Sequence, residues 1–93
     1  MESNFEISLT TAVFTTRYVL DNASPVLHVY HFEDGSWQFC GSEQTLLDED
    51  HRVISLSEIL SIDSSLRMLG NLKVGFEATR SSEQKDWIII PNN

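Results

Sequence analysis

Basic residues are scarce in this sequence. Six Lys and Arg stand against fourteen Asp and Glu, a formal charge of −8 over 93 residues. A surface of that sign repels phosphate backbones and anionic headgroups, so neither nucleic acid nor a membrane is an expected partner. It favours a basic protein partner instead, through encounter rate and specificity more than raw affinity. Cysteine is nearly absent: Cys40 stands alone, so these residues hold no disulfide framework. Long apolar runs are missing too. The longest aliphatic run is Ile88-Ile89-Ile90, far short of the roughly 20 residues of a membrane span. The first six residues lack the basic start and apolar stretch of a signal peptide. The expected location is therefore cytoplasmic. Two Pro and four Gly leave no linker or low-complexity tract. What is present suits one globular core: 41% apolar residues, including five Phe, two Tyr and two Trp. The expectation is one domain over 1–93, with loose ends at 1–4 and 91–93.

The patterning reads as α+β. Phe5, Ile7 and Leu9 alternate with polar residues, as in a strand or extended arm. Thr10 to Thr16 is rich in β-branched residues and reads as a strand. Arg17 to Asn22 suits a short helical turn. Val26–Glu33 and Ser36–Gly41 flank Asp34-Gly35, the signature of a two-residue type I′ hairpin. That register pairs Phe32 with Trp37 and Tyr30 with Phe39 on one face. It leaves Leu27, Val29, His31, Gln38 and Cys40 on the other, with both faces partly covered. Val53-Ile54 suggests a short strand. Ser55-Leu56-Ser57-Glu58 is a capping box, opening a helix with Leu56, Ile59 and Leu60 on one side. Asp63 reads as a second N-cap before Leu66, Met68 and Leu69, with Gly70 as the stop. Leu72 to Arg80 alternates as a strand with Leu72, Val74, Phe76 and Ala78 inward. Trp87 to Ile90 makes the last strand, ended by Pro91. The expected fold is a mostly antiparallel sheet of about five strands with one or two short helices, in the order β-β-β-α-α-β-β.

Catalytic and metal signatures are lacking. No C-x-x-C or H-E-x-x-H occurs, and His28 and His31, three apart, fall on opposite faces of a strand. No cofactor or metal is expected. The assumed register sets Cys40 diagonal to His31, but no helix N-terminus lowers the thiol pKa, so a packed cysteine is the simpler reading. Asp48-Glu49-Asp50 lacks the glycine of a calcium loop, and no glycine-rich phosphate loop exists. The residues left for recognition are the acidic loop Glu43, Asp48, Glu49 and Asp50, with Glu33 and Trp37 at the hairpin end. Carboxylates there suit the Lys and Arg of a partner, and Trp is a frequent hot-spot residue.

The segments Thr15-Thr16-Arg17-Tyr18-Val19, Pro25-Val26-Leu27-His28-Val29-Tyr30 and Gly35-Ser36-Trp37-Gln38-Phe39-Cys40-Gly41-Ser42-Glu43 carry a resemblance, as do Asp63-Ser64-Ser65-Leu66 and Gly75-Phe76-Glu77-Ala78-Thr79-Arg80. Over about residues 12–90 the chain resembles a group of small acidic bacterial proteins. That group was long a domain of unknown function and is now placed with polymorphic-toxin immunity proteins. The chain departs from the group's pattern at His31, Gly35-Ser36 and Ser64. The resemblance implies a non-enzymatic protein that blocks a cognate toxin, and supplies no catalytic residue. Two other readings stand beside it. One is a housekeeping or regulatory interaction module. The other is a small metal-dependent protein or enzyme using His28, His31, His51 or Cys40. A monomer or a homodimer is expected, since an unpaired edge strand suits pairing across a dimer.

Overall fold

The structure, a computed structural model, describes residues 5, 7–21, 24–42 and 47–91. Six strands form one sheet: β1 Ala12–Thr16, β2 His28–His31, β3 Trp37–Cys40, β4 His51–Ser55, β5 Phe76–Thr79 and β6 Ile88–Pro91. Their order is β4-β1-β3-β2-β5-β6. β1 and β3 run parallel; every other neighbouring pair is antiparallel. The helices are α1 (Arg17–Asp21), α2 (Leu56–Ile62), a 3₁₀ turn at Asp48–Asp50 and a 3₁₀ helix at Ser64–Asn71. The α+β expectation stands, with six strands rather than about five. The sixth is β4, longer than its Val53-Ile54 centre because all five of its residues pair with β1.

One face of the sheet holds the core. Val13, Val29, Trp37, Phe39 and Ala78 point to it, and so do Leu56, Ile59 and Leu60 of α2 and Val19 of α1. The capping box forms as expected. Ser55 Oγ accepts from the Glu58 amide at 3.2 Å, and Glu58 Oε1 accepts from the Ser55 amide at 3.2 Å. Asp63 caps the next segment by accepting from the Ser65 amide at 3.0 Å. That segment is 3₁₀ rather than α, and the spacing explains it. Leu66, Leu69 and Leu72 are buried at every third position, the repeat that a three-residue turn stacks on one side. Met68 is consequently exposed, and Gly70 lies inside the segment rather than ending it.

The hairpin differs from expectation by one residue. Val29 pairs with Phe39 and His31 with Trp37, so the loop holds three residues, Glu33-Asp34-Gly35. Phe32 C=O accepts from the Gly35 amide at 2.8 Å, and the Phe32 amide donates to Ser36 C=O at 2.9 Å. Gly35 takes positive φ, 92°. A type I turn closed by a left-handed glycine is the usual three-residue solution. Asp34 favours it, because Oδ1 accepts from both the Ser36 amide (2.9 Å) and hydroxyl (2.7 Å). The slip exchanges faces. Val29 and His31 join Trp37 and Phe39 inside, while His28 and Tyr30 join Gln38 and Cys40 outside. Cys40 therefore opposes His28 and lies across the sheet from His31. Both faces of the hairpin are partly covered, as expected: Val29, Trp37 and Phe39 are buried on the inner side, and on the outer side Cys40 is buried and His28, Tyr30 and Gln38 are half-buried.

Two further expectations change. The chain turns at Gly75 (φ 81°), with the Phe76 amide donating to Lys73 C=O at 3.1 Å, so β5 starts at Phe76 and Val74 is exposed. Ile7 to Leu9 form no strand. The Thr11 amide donates to Ser8 C=O at 3.0 Å, a turn, and buried Phe5 packs edge-on against Trp37 at 4.8 Å between centroids.

Arg80 ties the layers together. Its guanidinium donates to Val26 C=O (3.0 Å), Ser65 Oγ (3.1 Å), Glu83 C=O (3.3 Å) and Asp63 Oδ2 (2.8 Å). It also lies 4.2 Å from the Trp87 ring centroid. No helix among the described residues is long and apolar enough to cross a membrane.

Candidate functional site

The buried side chains of α1, α2 and the 3₁₀ helix belong to one core cluster with Val13, Phe39, Val29 and Ala78 of the inner face. Pairing draws one line of side chains across the outer face, one from each strand: Val53, Phe14, Gln38, Tyr30, Glu77 and Ile90. At ~4.8 Å per strand the line spans about 24 Å. Its apolar members stay in water: Val53 is 60% exposed, Phe14 41% and Ile90 41%. Ile88, on the same side, is 61% exposed. Along β2 the rings of His28, Tyr30 and Phe32 stack in a file, with centroids 6.5 and 5.7 Å apart. Large apolar groups gathered on one face of a strongly charged chain mark an interaction surface. The face closes towards the ends of β1 and β3, where Thr16 and Cys40 are buried.

Partial burial, then the Glu77 carboxylate, push the Tyr30 phenol above its ordinary pKa. It stays a neutral donor at physiological pH. His28 Nδ1 lies 3.1 Å from Thr79 Oγ1, and Gln38 Nε2 donates to Cys40 Sγ at 3.0 Å. Among the described residues no three His, Cys, Asp or Glu side chains gather to hold a metal ion. His31 is committed to the inner face. It stacks on Trp37 at 3.9 Å, and its Nδ1–H donates to Leu72 C=O at 2.7 Å.

The residues expected to meet a partner are split apart. Trp37 is 4% exposed and belongs to the core, so it is no hot spot. Asp50 is 1% exposed and bound within its own chain. It accepts from the Leu47 amide at 2.9 Å and from Arg17 Nε at 2.8 Å. The Leu47 amide first, then the Arg17 charge, hold its carboxyl below the usual carboxylate range. Glu33, Asp48 and Glu49 are exposed, but at opposite ends of the strands. The hairpin loop lies where β3 begins, whereas the Asp48–Asp50 turn leads into β4 beside the end of β1. Glu43 lies outside the described residues.

The outer row was missed as a unit because its strands are not all neighbours in sequence and the hairpin register was read one residue off; only Glu77 was read as outward. A one-residue change in hairpin register decides which of two alternating sets faces water, and both sets here are rich in large apolar groups. Phe14 carried the one available signal: it is the large apolar residue out of phase with Val13 and Thr15.

Comparison with protein-family models, curated proteins and solved structures finds no match for this chain.

Proposed function

We propose that this is a non-enzymatic binding protein of the cytoplasm that docks a basic protein on the outer face of its sheet. Its sharper form is an immunity-type protein that neutralises a cognate bacterial toxin, the role implied by the resemblance over residues 12–90. One observation carries the docking reading: the line Val53–Phe14–Gln38–Tyr30–Glu77–Ile90 on the face opposite the core, with Val53, Phe14 and Ile90 exposed and the three between them half-buried. The row mixes exposed apolar groups at both ends with hydrogen-bonding groups between them, Gln38, Tyr30 and Glu77, and so offers a partner both kinds of contact.

Charge supports the choice of partner. Of the six cations, Arg17 and Arg80 are tied to Asp50 and Asp63. Glu33, Asp48 and Glu49 remain exposed at the two ends of the sheet and Glu77 stands in the row itself. Such a field draws in a cationic surface from either end and positions it over the row. A toxin that acts on phosphate-bearing substrates presents such a surface, and carboxylates then stand where its substrate's phosphates would.

The test has two stages. Immobilised protein is exposed to lysate of the source organism at low and moderate salt, and retained proteins are identified by mass spectrometry. A stoichiometric basic partner whose retention falls as salt rises is the expected result. That partner is then expressed with and without this protein; rescue of growth supports neutralisation. An acidic or salt-indifferent partner contradicts the electrostatic reading. A basic partner that is harmless when expressed alone contradicts the toxin.

A further inference from the structure

The sheet ends in two unlike edges. β4 carries His51, Arg52 and Ser55 among its five residues, and polar or charged side chains discourage a further strand. β6 carries Ile88, Ile89 and Ile90, all exposed, and no charge at all. An unguarded apolar edge is a template for pairing.

The direction of its backbone groups is fixed. The Arg80 amide donates to Leu27 C=O at 3.0 Å. Antiparallel ladders alternate, so Ala78 bonds towards β2 while Glu77 and Thr79 bond towards β6. Their partners Ile90 and Ile88 therefore bond inside the sheet, and Ile89 turns its N–H and C=O outward. On the inner side a groove of about 390 Å³ adjoins this point, lined by Met68, Leu69, Leu72, Phe76 and Ile89 among others.

We propose that β6 pairs with the β6 of a second copy, antiparallel about a two-fold axis at Ile89, making one twelve-stranded sheet. A two-fold interface must be complementary to itself, and this edge is. The axis sets the N–H of Ile89 against the C=O of the second copy's Ile89, and the reverse, so the pair exchanges two hydrogen bonds. It places Ile88 opposite the partner's Ile90 on the outer face. The second Ile89 side chain enters the groove beside the first. Two chains of charge −8 meet here at an uncharged strand, so their repulsion is indirect and salt-screened. A basic strand would find no carboxylate on β6 to recognise. Pro91, lacking an N–H, limits the new ladder. A four-residue edge buries less than the ~1,600 Å² of a standard interface, so the dimer is weak and exchanges with monomer. The inference rests on β6 alone and not on the partner-docking reading.

Sedimentation velocity over a concentration series tests it. Wild type is expected to shift from monomer towards dimer with concentration, and further as salt rises, opposite in sign to the basic-partner complex. Ile89→Lys, which sets like charges face to face at the axis, should sediment as monomer with an unchanged far-UV spectrum. Should that variant misfold, hydrogen exchange on wild type decides instead: the Ile89 amide should slow with concentration. A wild type monomeric at every concentration and salt overturns the proposal. So does a dimer that leaves Ile89 exchange unchanged, or a β6 edge that accepts only a foreign strand.

Discussion

Val29 and Tyr30 are neighbours on the central strand β2, yet Val29 is fully buried and Tyr30 shows part of its ring to solvent. The contrast extends across the sheet. Inside, Val13, Phe39, Val29 and Ala78 lock against the leucines of α2 and the 3₁₀ helix, and Arg80 binds strand, loop and helix into one network. Outside, Phe14 and Val53 are exposed and Tyr30 between the sheet's edges is half-buried. The buried core lies on one face and the proposed docking surface on the other. A chain of this size has one core to spend, and a face left apolar without joining that core adds little to folding.

The comparison breaks most severely at Arg80. Arg80→Met removes a buried cation that satisfies Asp63 and two carbonyls, and should cost about 3–5 kcal/mol. Against a total of roughly 5–15 kcal/mol for a typical domain, urea denaturation should show a midpoint near zero denaturant or an unfolded protein. Leu56→Ala follows. A fully buried leucine cut back in a packed core should lower stability by about 2–5 kcal/mol by the same measurement.

Asp50 sharpens the contrast through pH rather than size. Its folded carboxyl titrates below the ordinary 3.8 of an aspartate, so the unfolded chain takes up the proton first. The stabilisation is fully present above about pH 3.8 and drains away as pH falls through the lower folded value. Asp50→Asn should therefore be less stable than wild type at neutral pH, with the two curves converging in acid. Thermal melts from neutral to acid pH measure this, and a gap unchanged in acid would refute the pair. The smallest effect belongs to the outer row. Phe14→Ser should change stability by no more than roughly 0.5–1 kcal/mol in either direction, measured by urea denaturation. A loss as large as that of Leu56→Ala would show the two faces to be equivalent.

Local chemistry was legible in the sequence wherever a short motif decides structure. The Ser55/Glu58 box, the Asp63 cap and the Leu56, Ile59, Leu60 stripe are contacts within a few residues, and all three occur as read. Register was not legible. Asp34-Gly35 serves a two- or a three-residue loop, and the choice turned on the Asp34 carboxylate engaging Ser36 rather than on the dipeptide. With the register went the expected sharing of one face by Tyr30 and Trp37: Trp37 lies in the core and Tyr30 on the outer face. β4 escaped in part because its pairing with β1 is set by chain segments about forty residues apart. Asp50 looked like part of a solvated acidic run; only its distance to Arg17 and the Leu47 amide reveals it as internal.

The account stands or falls on whether the outer row binds. Immobilised wild type and a Phe14→Ser/Tyr30→Ser double variant, first shown by circular dichroism to be equally folded, are compared for capture of a basic protein from the source lysate at matched salt. The account predicts that wild type retains the partner and the double variant loses it. Equal retention by both would place recognition elsewhere on the molecule and contradict the division of the sheet into a folding face and a docking face.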